Sequence, residues 1–172
     1  QALEKSSNIV FANIARSVSD RDFYRMTRDF GFGIPIGFEM SGESRGILKT
    51  PAEYDYSTKL FMGFGYQMAA TALQLACAYG TVANRGVMMK PYIVRGILDE
   101  NQQRINTYDP QRIRQVVSAQ TAGALSDLFC SVVDRGTGVE AQVPGLRIAG
   151  KTGTAQQLVD GKYSKQAYTA SF

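Results

Sequence analysis

Residues 145–154 constrain the fold more than any other segment, because their sequence, GLRIAGKTGT, permits two incompatible local structures. Gly145 to Thr152 match the phosphate-loop pattern G-x-x-x-x-G-K-[ST], which needs a tight loop followed at once by a helix. Lys151-Thr152-Gly153 also match the shorter pattern K-T-G, which is typical of an edge strand that presents a lysine to a groove. The rest of the chain must decide between a loop and a strand.

The residues around the motif favour the strand. Gln142-Val143-Pro144 is turn-like, whereas a phosphate loop follows directly on a buried strand. The variable positions Leu146 to Ala149 are apolar except for Arg147 and include a β-branched residue, which favours extended structure. Gly153 disfavours a helix start by about 1 kcal/mol at the point where a phosphate loop needs one. A nucleotide-binding protein is therefore the last of the alternatives.

Composition excludes several kinds of catalytic site. The 172 residues are enough for one domain with a core, and none of them is histidine. This removes Ser-His-Asp and Cys-His nucleophile systems and H-E-x-x-H zinc sites. The net charge of +4 is spread without a Lys/Arg run, so no nucleic-acid partner is expected. We expect no metal and no cofactor.

Two further features concern the cysteines and the ends of the sequence. Cys77 and Cys130 lie on separate predicted helices and are interpreted as buried thiols rather than a redox pair or metal site. No apolar run approaches the roughly 18–20 residues of a membrane span. The chain begins at Gln1 and stops at Phe172 within an apolar, strand-like run. We expect it to be part of a longer protein.

The first half of the sequence predicts helices separated by a long irregular region. Ser6-Ser7-Asn8 can cap a helix over 9–15, and Ser19-Asp20 a second helix that ends at Gly31. Residues 31–66 are rich in Gly, Pro and Tyr, which predicts a long excursion with only short elements. A helix is predicted over 69–83, with one stripe formed by Leu73, Ala76, Cys77 and Gly80.

The second half predicts a hairpin, a helix and two strands. The hairpin pairs 92–98 with 103–108, and the helix covers 121–133 with an amphipathic face. The two strands cover 147–155 and 167–172 and are joined by residues 160–163. The result is one domain, rich in helix early and in sheet toward its end.

A second motif lies far from K-T-G in the sequence. Ser6-Ser7-Asn8 fits the pattern S-x-N, although the same residues also fit a helix N-cap. Beside the lysine, Gly150 and Gly153 leave room for a ligand backbone. The intervening residues could place the two motifs on opposite walls of a cleft.

The span from Ser6 to Phe172 resembles the transpeptidase domain of class B penicillin-binding proteins. Ala72 stands where this family typically has proline, and the Leu-Gln-Leu-Ala run is closer to class B than to class A. The resemblance implies an α+β fold, an incomplete serine transpeptidase fold that forms one partial domain over 1–172. Its helical subdomain would cover about 1–135 and its antiparallel strands about 146–172. The resemblance is carried by Gly63–Ala76, Ala83–Gly86 followed by Pro91, Val132–Gly138, Ala149–Gln156 and Tyr168–Phe172.

The resemblance also implies roles for six residues. Ser6 would relay protons to and from the family's catalytic lysine, Asn8 would bind an amide of the donor peptide, and Lys151 would supply positive charge. The implied substrate-binding residues are Thr152 and Thr154, whose hydroxyls would bind a terminal carboxylate, together with Gly153. The backbone N–H of Thr154 would form half of an oxyanion hole.

The family's nucleophile, in the pattern S-x-x-K, has no match in this chain. No serine is followed three residues later by lysine, and Ser57-Thr58-Lys59 is one residue short. Without that serine and lysine no acyl-enzyme can form. We therefore expect the isolated chain neither to be acylated by penicillin nor to cross-link peptides.

The resemblance further implies partners and a location. The parent protein would be a peptidoglycan D,D-transpeptidase that acts on D-Ala-D-Ala stem peptides, binds β-lactams and pairs with a membrane glycan polymerase. It would lie on the extracytoplasmic face of the bacterial cytoplasmic membrane, anchored by a segment outside this chain. The unpaired strand edges could promote self-association. The alternatives are a non-catalytic penicillin-recognition sensor or scaffold, then a serine β-lactamase, then the nucleotide-binding protein.

Overall fold

A computed structural model describes residues 1–159 and 161–172 and has an α+β fold, as predicted. Two single 3-10 turns, Pro51–Glu53 and Val139–Ala141, lie between the longer elements. The described helices are α1 (Asn8–Ser17), α2 (Asp20–Asp29), α3 (Thr58–Met62), α4 (Ala72–Ala83) and α5 (Ala119–Arg135). The described strands are β1 (Val87–Met89), β2 (Gly96–Leu98), β3 (Arg104–Thr107), β4 (Arg112–Gln115), β5 (Gly153–Val159) and β6 (Lys162–Ser171).

The first two helices begin where the sequence predicts. The N-cap of α1 is Ser7, but its side chain makes no capping hydrogen bond. The N-cap of α2 is Ser19, whose hydroxyl accepts from the Asp22 N–H at 3.1 Å. The chain leaves α2 through Gly31, at a φ of +96° that favours glycine.

Residues 31–66 form the predicted irregular excursion, with α3 and one 3-10 turn as its only elements within the described chain. A single buried amide fixes its first part. The Gln74 side chain is fully buried, and the two protons of its amide nitrogen are shared among the carbonyls of Gly31, Ile34 and Arg45 at 3.0–3.1 Å. Because unpaired buried carbonyls are costly, these bonds determine how the loop lies on α4.

Helix α4 starts three residues later than predicted. Thr71 accepts from the Gln74 N–H and the Gln74 side chain accepts from the Thr71 N–H, which forms a capping box. Ala69, predicted to be helical, instead pairs with Ile47 in an isolated antiparallel bridge. The cap thus places the helix boundary at Ala72.

The predicted stripe of α4 is wrong as a guide to its buried side. Ala76 and Gly80 are exposed, whereas Gln74, Thr81 and Val82 are buried. The prediction assumed that apolar residues mark the buried side of the helix. The residue that is fully buried against the preceding loop is instead the polar Gln74.

The strands between α4 and α5 form two small antiparallel sheets. The predicted hairpin is confirmed as β2 paired with β3, over shorter spans. The pairing of β1 with β4 was not predicted, because β1 has three residues and β4 carries two arginines. Helix α5 is confirmed and extends two residues further at each end, with Ser118 as its N-cap.

The last two strands pair antiparallel, but their predicted bounds are partly wrong. Strand pairing begins at Gly153, so residues 147–152 form no strand. Gly150 donates its N–H to the carbonyl of Phe129 at 3.3 Å, which ties this segment to α5 instead. Strand β6 starts earlier than predicted and includes Lys162 and Tyr163 of the predicted connection, whose first residue, Asp160, lies outside the described residues.

The core lies between α4, α5 and β1. It contains Met88, Ala122, Val132 and Val133, each at most 2% exposed. Both cysteines are free thiols; Cys130 is buried and Cys77 is half-buried, in agreement with the prediction of two packed thiols. Among the described helices, none combines the length and apolar character that a bilayer crossing requires.

Candidate active site

The structure brings the two sequence motifs together. Lys151 Nζ donates to Ser6 Oγ at 2.9 Å, although the residues are 145 positions apart. The same ammonium donates to the backbone carbonyl of Thr152, also at 2.9 Å. The predicted lysine and serine are thus direct hydrogen-bond partners.

These residues line a groove of about 280 Å³ between the start of α1 and the start of β5. All six predicted site residues contribute to its lining. The sequence predicted no role for its aromatic side, although Phe64 and Tyr66 belong to a segment that carries the family resemblance. The groove is lined by Leu3, Ser6, Asn8, Phe11, Gly63, Phe64, Tyr66, Lys151, Thr152, Gly153 and Thr154.

Ser6 has an unusual backbone conformation. Its φ is +51°, in the left-handed region that residues other than glycine rarely adopt. The strain is held by a turn in which the Ser6 N–H donates to Leu3 O and the Ser7 N–H to Ala2 O. Such outliers cluster at functional sites. The turn leaves Ser6 and Asn8 exposed at the groove, on either side of the N-cap of α1.

Lys151 is half-buried, and this changes its acidity. Desolvation of the ammonium lowers the pKa of Lys151 below its ordinary value. Its hydrogen bonds go to the hydroxyls of Ser6 and Thr152 and to the backbone carbonyl of Thr152. Within the described residues no carboxylate forms an ion pair with it. The lysine can therefore offer its charge to an anionic ligand.

An ion pair supports the turn that carries Ser6. Arg135 donates through Nε at 3.1 Å and through a terminal nitrogen at 2.9 Å to the same carboxylate oxygen of Glu4. Glu4 is only 7% exposed, so its carboxylate is buried in the protein. The hydrogen bond from Arg135 holds the pKa of Glu4 below its ordinary value, against the opposing effect of burial.

We expect the stability of the Glu4→Gln variant to fall less than that of the wild type when the pH is lowered from 6 to 3. The folded pKa of Glu4 is lowered, so its contribution is complete above the ordinary carboxyl pKa and is lost as the pH falls through the folded value. Thermal unfolding between about pH 3 and 6 measures this. The variant should have a lower melting temperature at pH 6, by a margin that shrinks toward pH 3. Glu100→Gln, at an exposed turn, is the control; a margin independent of pH would contradict the assignment.

The loop that follows α5 contacts the lysine segment. Thr137 Oγ1 and Thr152 Oγ1 lie 2.6 Å apart, and the Thr137 N–H donates to the backbone carbonyl of Glu4 at 3.0 Å. The sequence assigned no role to Thr137, although Val132–Gly138 is one of the segments that carry the family resemblance. The Gly-Thr-Gly sequence could have indicated this contact, because glycines on both sides of a threonine allow another backbone to approach closely.

The aromatic side of the groove is attached to the final hairpin. The Tyr66 hydroxyl accepts from the Gln156 N–H at 3.4 Å, and its ring meets that of Tyr163 edge to face with centroids 5.1 Å apart. Phe64 in turn contacts the Tyr66 ring, with centroids 5.8 Å apart. This side of the groove therefore packs against β5 and β6.

The phosphate-loop alternative is wrong. The residues after Lys151 enter β5 and not a helix. The Gly150 N–H, which a phosphate loop would direct at its ligand, points to Phe129 O. A Cβ at Gly150 would collide with the Phe172 ring, so a side chain there would have to displace that ring.

Comparisons with known proteins agree with this geometry. A family model described as the penicillin binding protein transpeptidase domain matches residues 1–172. The chain is 37% identical to penicillin-binding protein PbpB of Mycolicibacterium smegmatis, over 98% of this chain and 27% of that protein. It is 31% identical to stage V sporulation protein D of Bacillus subtilis, over 100% of this chain and 27% of that protein. The chain thus spans about a quarter of the length of these relatives.

Solved structures share the fold. Penicillin binding protein 3 of Mycobacterium tuberculosis in its apo form has a TM-score of 0.90 at 34% identity, covering 98% of this chain and 40% of that one. Its complex with aztreonam gives a TM-score of 0.89 at 34% identity, covering 97% and 39%. The transpeptidase domain of Burkholderia pseudomallei penicillin-binding protein 3 gives 0.83 at 29% identity, covering 98% and 49%.

Proposed function

Since this chain belongs to the penicillin-binding protein transpeptidase domain family, we propose that its groove binds the D-Ala-D-Ala end of a peptidoglycan stem peptide, and β-lactams. The parent protein is then a serine-type D,D-transpeptidase. The observation that carries this is the 2.9 Å contact of Lys151 Nζ with Ser6 Oγ, in a groove that also holds two threonine hydroxyls. A charged donor beside hydroxyl donors suits a carboxylate better than a neutral group.

In this proposal the two walls of the groove have different tasks. Lys151 supplies the positive charge. Its ammonium also donates to Ser6 Oγ, and this hydrogen bond orients the hydroxyl through which Ser6 relays a proton. Asn8, exposed one residue after the N-cap of α1, binds an amide of the donor peptide. A side-chain amide both donates and accepts, so it matches a peptide group.

The strand side is proposed to recognise the end of the ligand and the reacting carbonyl. The hydroxyls of Thr152 and Thr154 bind the terminal carboxylate, and Gly153 keeps the strand surface open. The backbone N–H of Thr154 is proposed as one donor of an oxyanion hole. Fixed donors aimed at a developing oxyanion are a large part of catalysis in acyl transfer.

The attacking serine is proposed to come from an S-x-x-K segment that is not among these 172 residues. In the reaction its hydroxyl oxygen would attack the penultimate D-Ala carbonyl, lose its proton to a base and expel the terminal D-Ala as the protonated amine. This chain would contribute binding, charge and proton relay to that step.

The wider context follows from the family and is likewise proposed. The chain is one part of a transpeptidase domain, with a helical subdomain to about residue 135 and its last two strands, β5 and β6, from Gly153 onward. The parent protein is anchored to the bacterial cytoplasmic membrane, acts on its outer face and pairs with a glycan polymerase. The isolated chain self-associates through the edges of the β5–β6 hairpin, because an unpaired strand edge exposes backbone hydrogen-bonding groups.

A ligand titration tests the proposed function. We expect N-acetyl-D-Ala-D-Ala to produce saturable amide chemical-shift changes in an NMR titration of the chain, concentrated at Ser6, Lys151 and Thr154. The same dipeptide with a C-terminal amide should bind at least about 10-fold more weakly, because it lacks the charge that Lys151 pairs with. Equal binding of the two dipeptides, or shifts located elsewhere, would contradict the proposal.

A further inference from the structure

Resting on the proposed carboxylate site, we infer that Thr137 is a positioning residue that directs the hydroxyl proton of Thr152 into the groove. Thr137 lies on the loop after α5. Its hydroxyl is 2.6 Å from that of Thr152, and its role requires no contact with the ligand. The contact is part of a ring of hydrogen bonds that the backbone between Ser6 and Glu4 closes. The ring consists of Glu4, Arg135, Thr137, Thr152, Lys151 and Ser6.

The hydrogen bonds of the Thr152 hydroxyl decide where its proton points. A hydroxyl has one proton and two acceptor lone pairs. The Lys151 ammonium, 3.4 Å away, can only donate. If Thr137 donates as well, both lone pairs of Thr152 are occupied and its proton must point to a third partner. In the groove that partner is a ligand acceptor.

The surroundings of Thr137 hold its hydroxyl in place. Its N–H donates to Glu4 O at 3.0 Å, and Glu4 is itself held by Arg135. The preceding Gly136 is packed so closely that a Cβ there would lie 2.7 Å from Glu4 O. The loop therefore has little freedom to withdraw Thr137 from Thr152.

This arrangement selects for the chemical class of the ligand. In the arrangement that we infer, Thr137 is the donor to Thr152, and the groove then presents the Lys151 ammonium and an outward hydroxyl proton side by side. Both are donors, so the site favours a carboxylate, which accepts only, over a carboxamide, which must place an N–H₂ against one of them. Thr137 thus contributes to specificity at a distance from the ligand.

The test is a double-mutant cycle on binding of N-acetyl-D-Ala-D-Ala, followed by NMR titration. T137V, which keeps the shape and removes the hydroxyl, should raise Kd about 3- to 10-fold. T137S should restore Kd to within about 2-fold of the wild type. In a T152V background, T137V should have no further effect, because its only route to the ligand is gone. T107V, at an exposed site on β3, is the matched control.

Each outcome has a defined meaning. An unchanged Kd in T137V, or a loss that persists in the T152V background, would overturn the inference while leaving the proposed function intact. No saturable binding by the wild-type chain would overturn both. The amide spectrum reports whether each variant folds, and T137A takes the place of T137V if valine is not tolerated there.

Discussion

Incubation of this chain with a fluorescent penicillin should leave it without covalent label under conditions that fully label a penicillin-binding protein with an intact S-x-x-K motif. Acylation needs a serine whose proton can be removed by an adjacent base. Ser6 is the serine that lines the groove, but its Oγ accepts from the Lys151 ammonium, which has no lone pair to take a proton. On the proposed function, the chain would supply part of the ligand-binding groove without the attacking serine.

Labelling is read by gel fluorescence and by intact mass after denaturation. Saturable ligand binding by the same sample would show that the groove is formed. An absence of label could then not be attributed to misfolding. If an adduct forms, its position decides the matter. Modification that disappears in Ser6→Ala would show that Ser6 is a nucleophile and would refute the prediction.

Replacing Lys151 by Met should weaken binding of N-acetyl-D-Ala-D-Ala by about 10- to 150-fold. The change keeps the length of the side chain and removes its charge, and a hydrogen bond to a charged group contributes about 1.5–3 kcal/mol. Lys165→Met removes the same charge from an exposed site on β6 and should leave Kd within about 2-fold. The two variants separate local charge from net charge.

The pH dependence of binding provides a second measurement on the same residue. Only the protonated lysine attracts a carboxylate, so affinity should fall as the pH rises through the pKa of Lys151. Because burial lowers that pKa, the fall should begin at a lower pH than for an ordinary lysine. A Kd that is independent of pH in the wild type, or a Lys151→Met variant that binds normally, would remove Lys151 from the site.

Local sequence signals predicted much of the helical structure. Ser19 was predicted as a helix cap, and its hydroxyl accepts from the Asp22 N–H in the first turn; such a signal depends on neighbouring residues only. The hairpin of β2 and β3 was equally local. The pairing of β1 with β4 was not, because Val87 and Gln115 meet only after the chain between them has folded.

The proposed site shows the same division. Ser6 and Lys151 could be assigned to one cleft in advance because both motifs belong to the family that the sequence resembles, but their direct hydrogen bond was not predicted. Thr137 could not, since its contact depends on how the end of α5 meets the turn at Glu4. Gln74 was missed for another reason. A buried polar residue runs against hydrophobic periodicity, and only its three carbonyl partners explain its position.

The contact between Ser6 and Lys151 has a consequence for the order of folding. It closes a loop of 145 residues, and the contact between Glu4 and Arg135 closes one of 131. Contacts this distant in sequence carry a large loop-closure entropy and form after local helices and hairpins. The groove is therefore a late product of folding. A ligand that binds the groove only in the native state raises the free energy of unfolding, and it stabilises the two ends of the chain together.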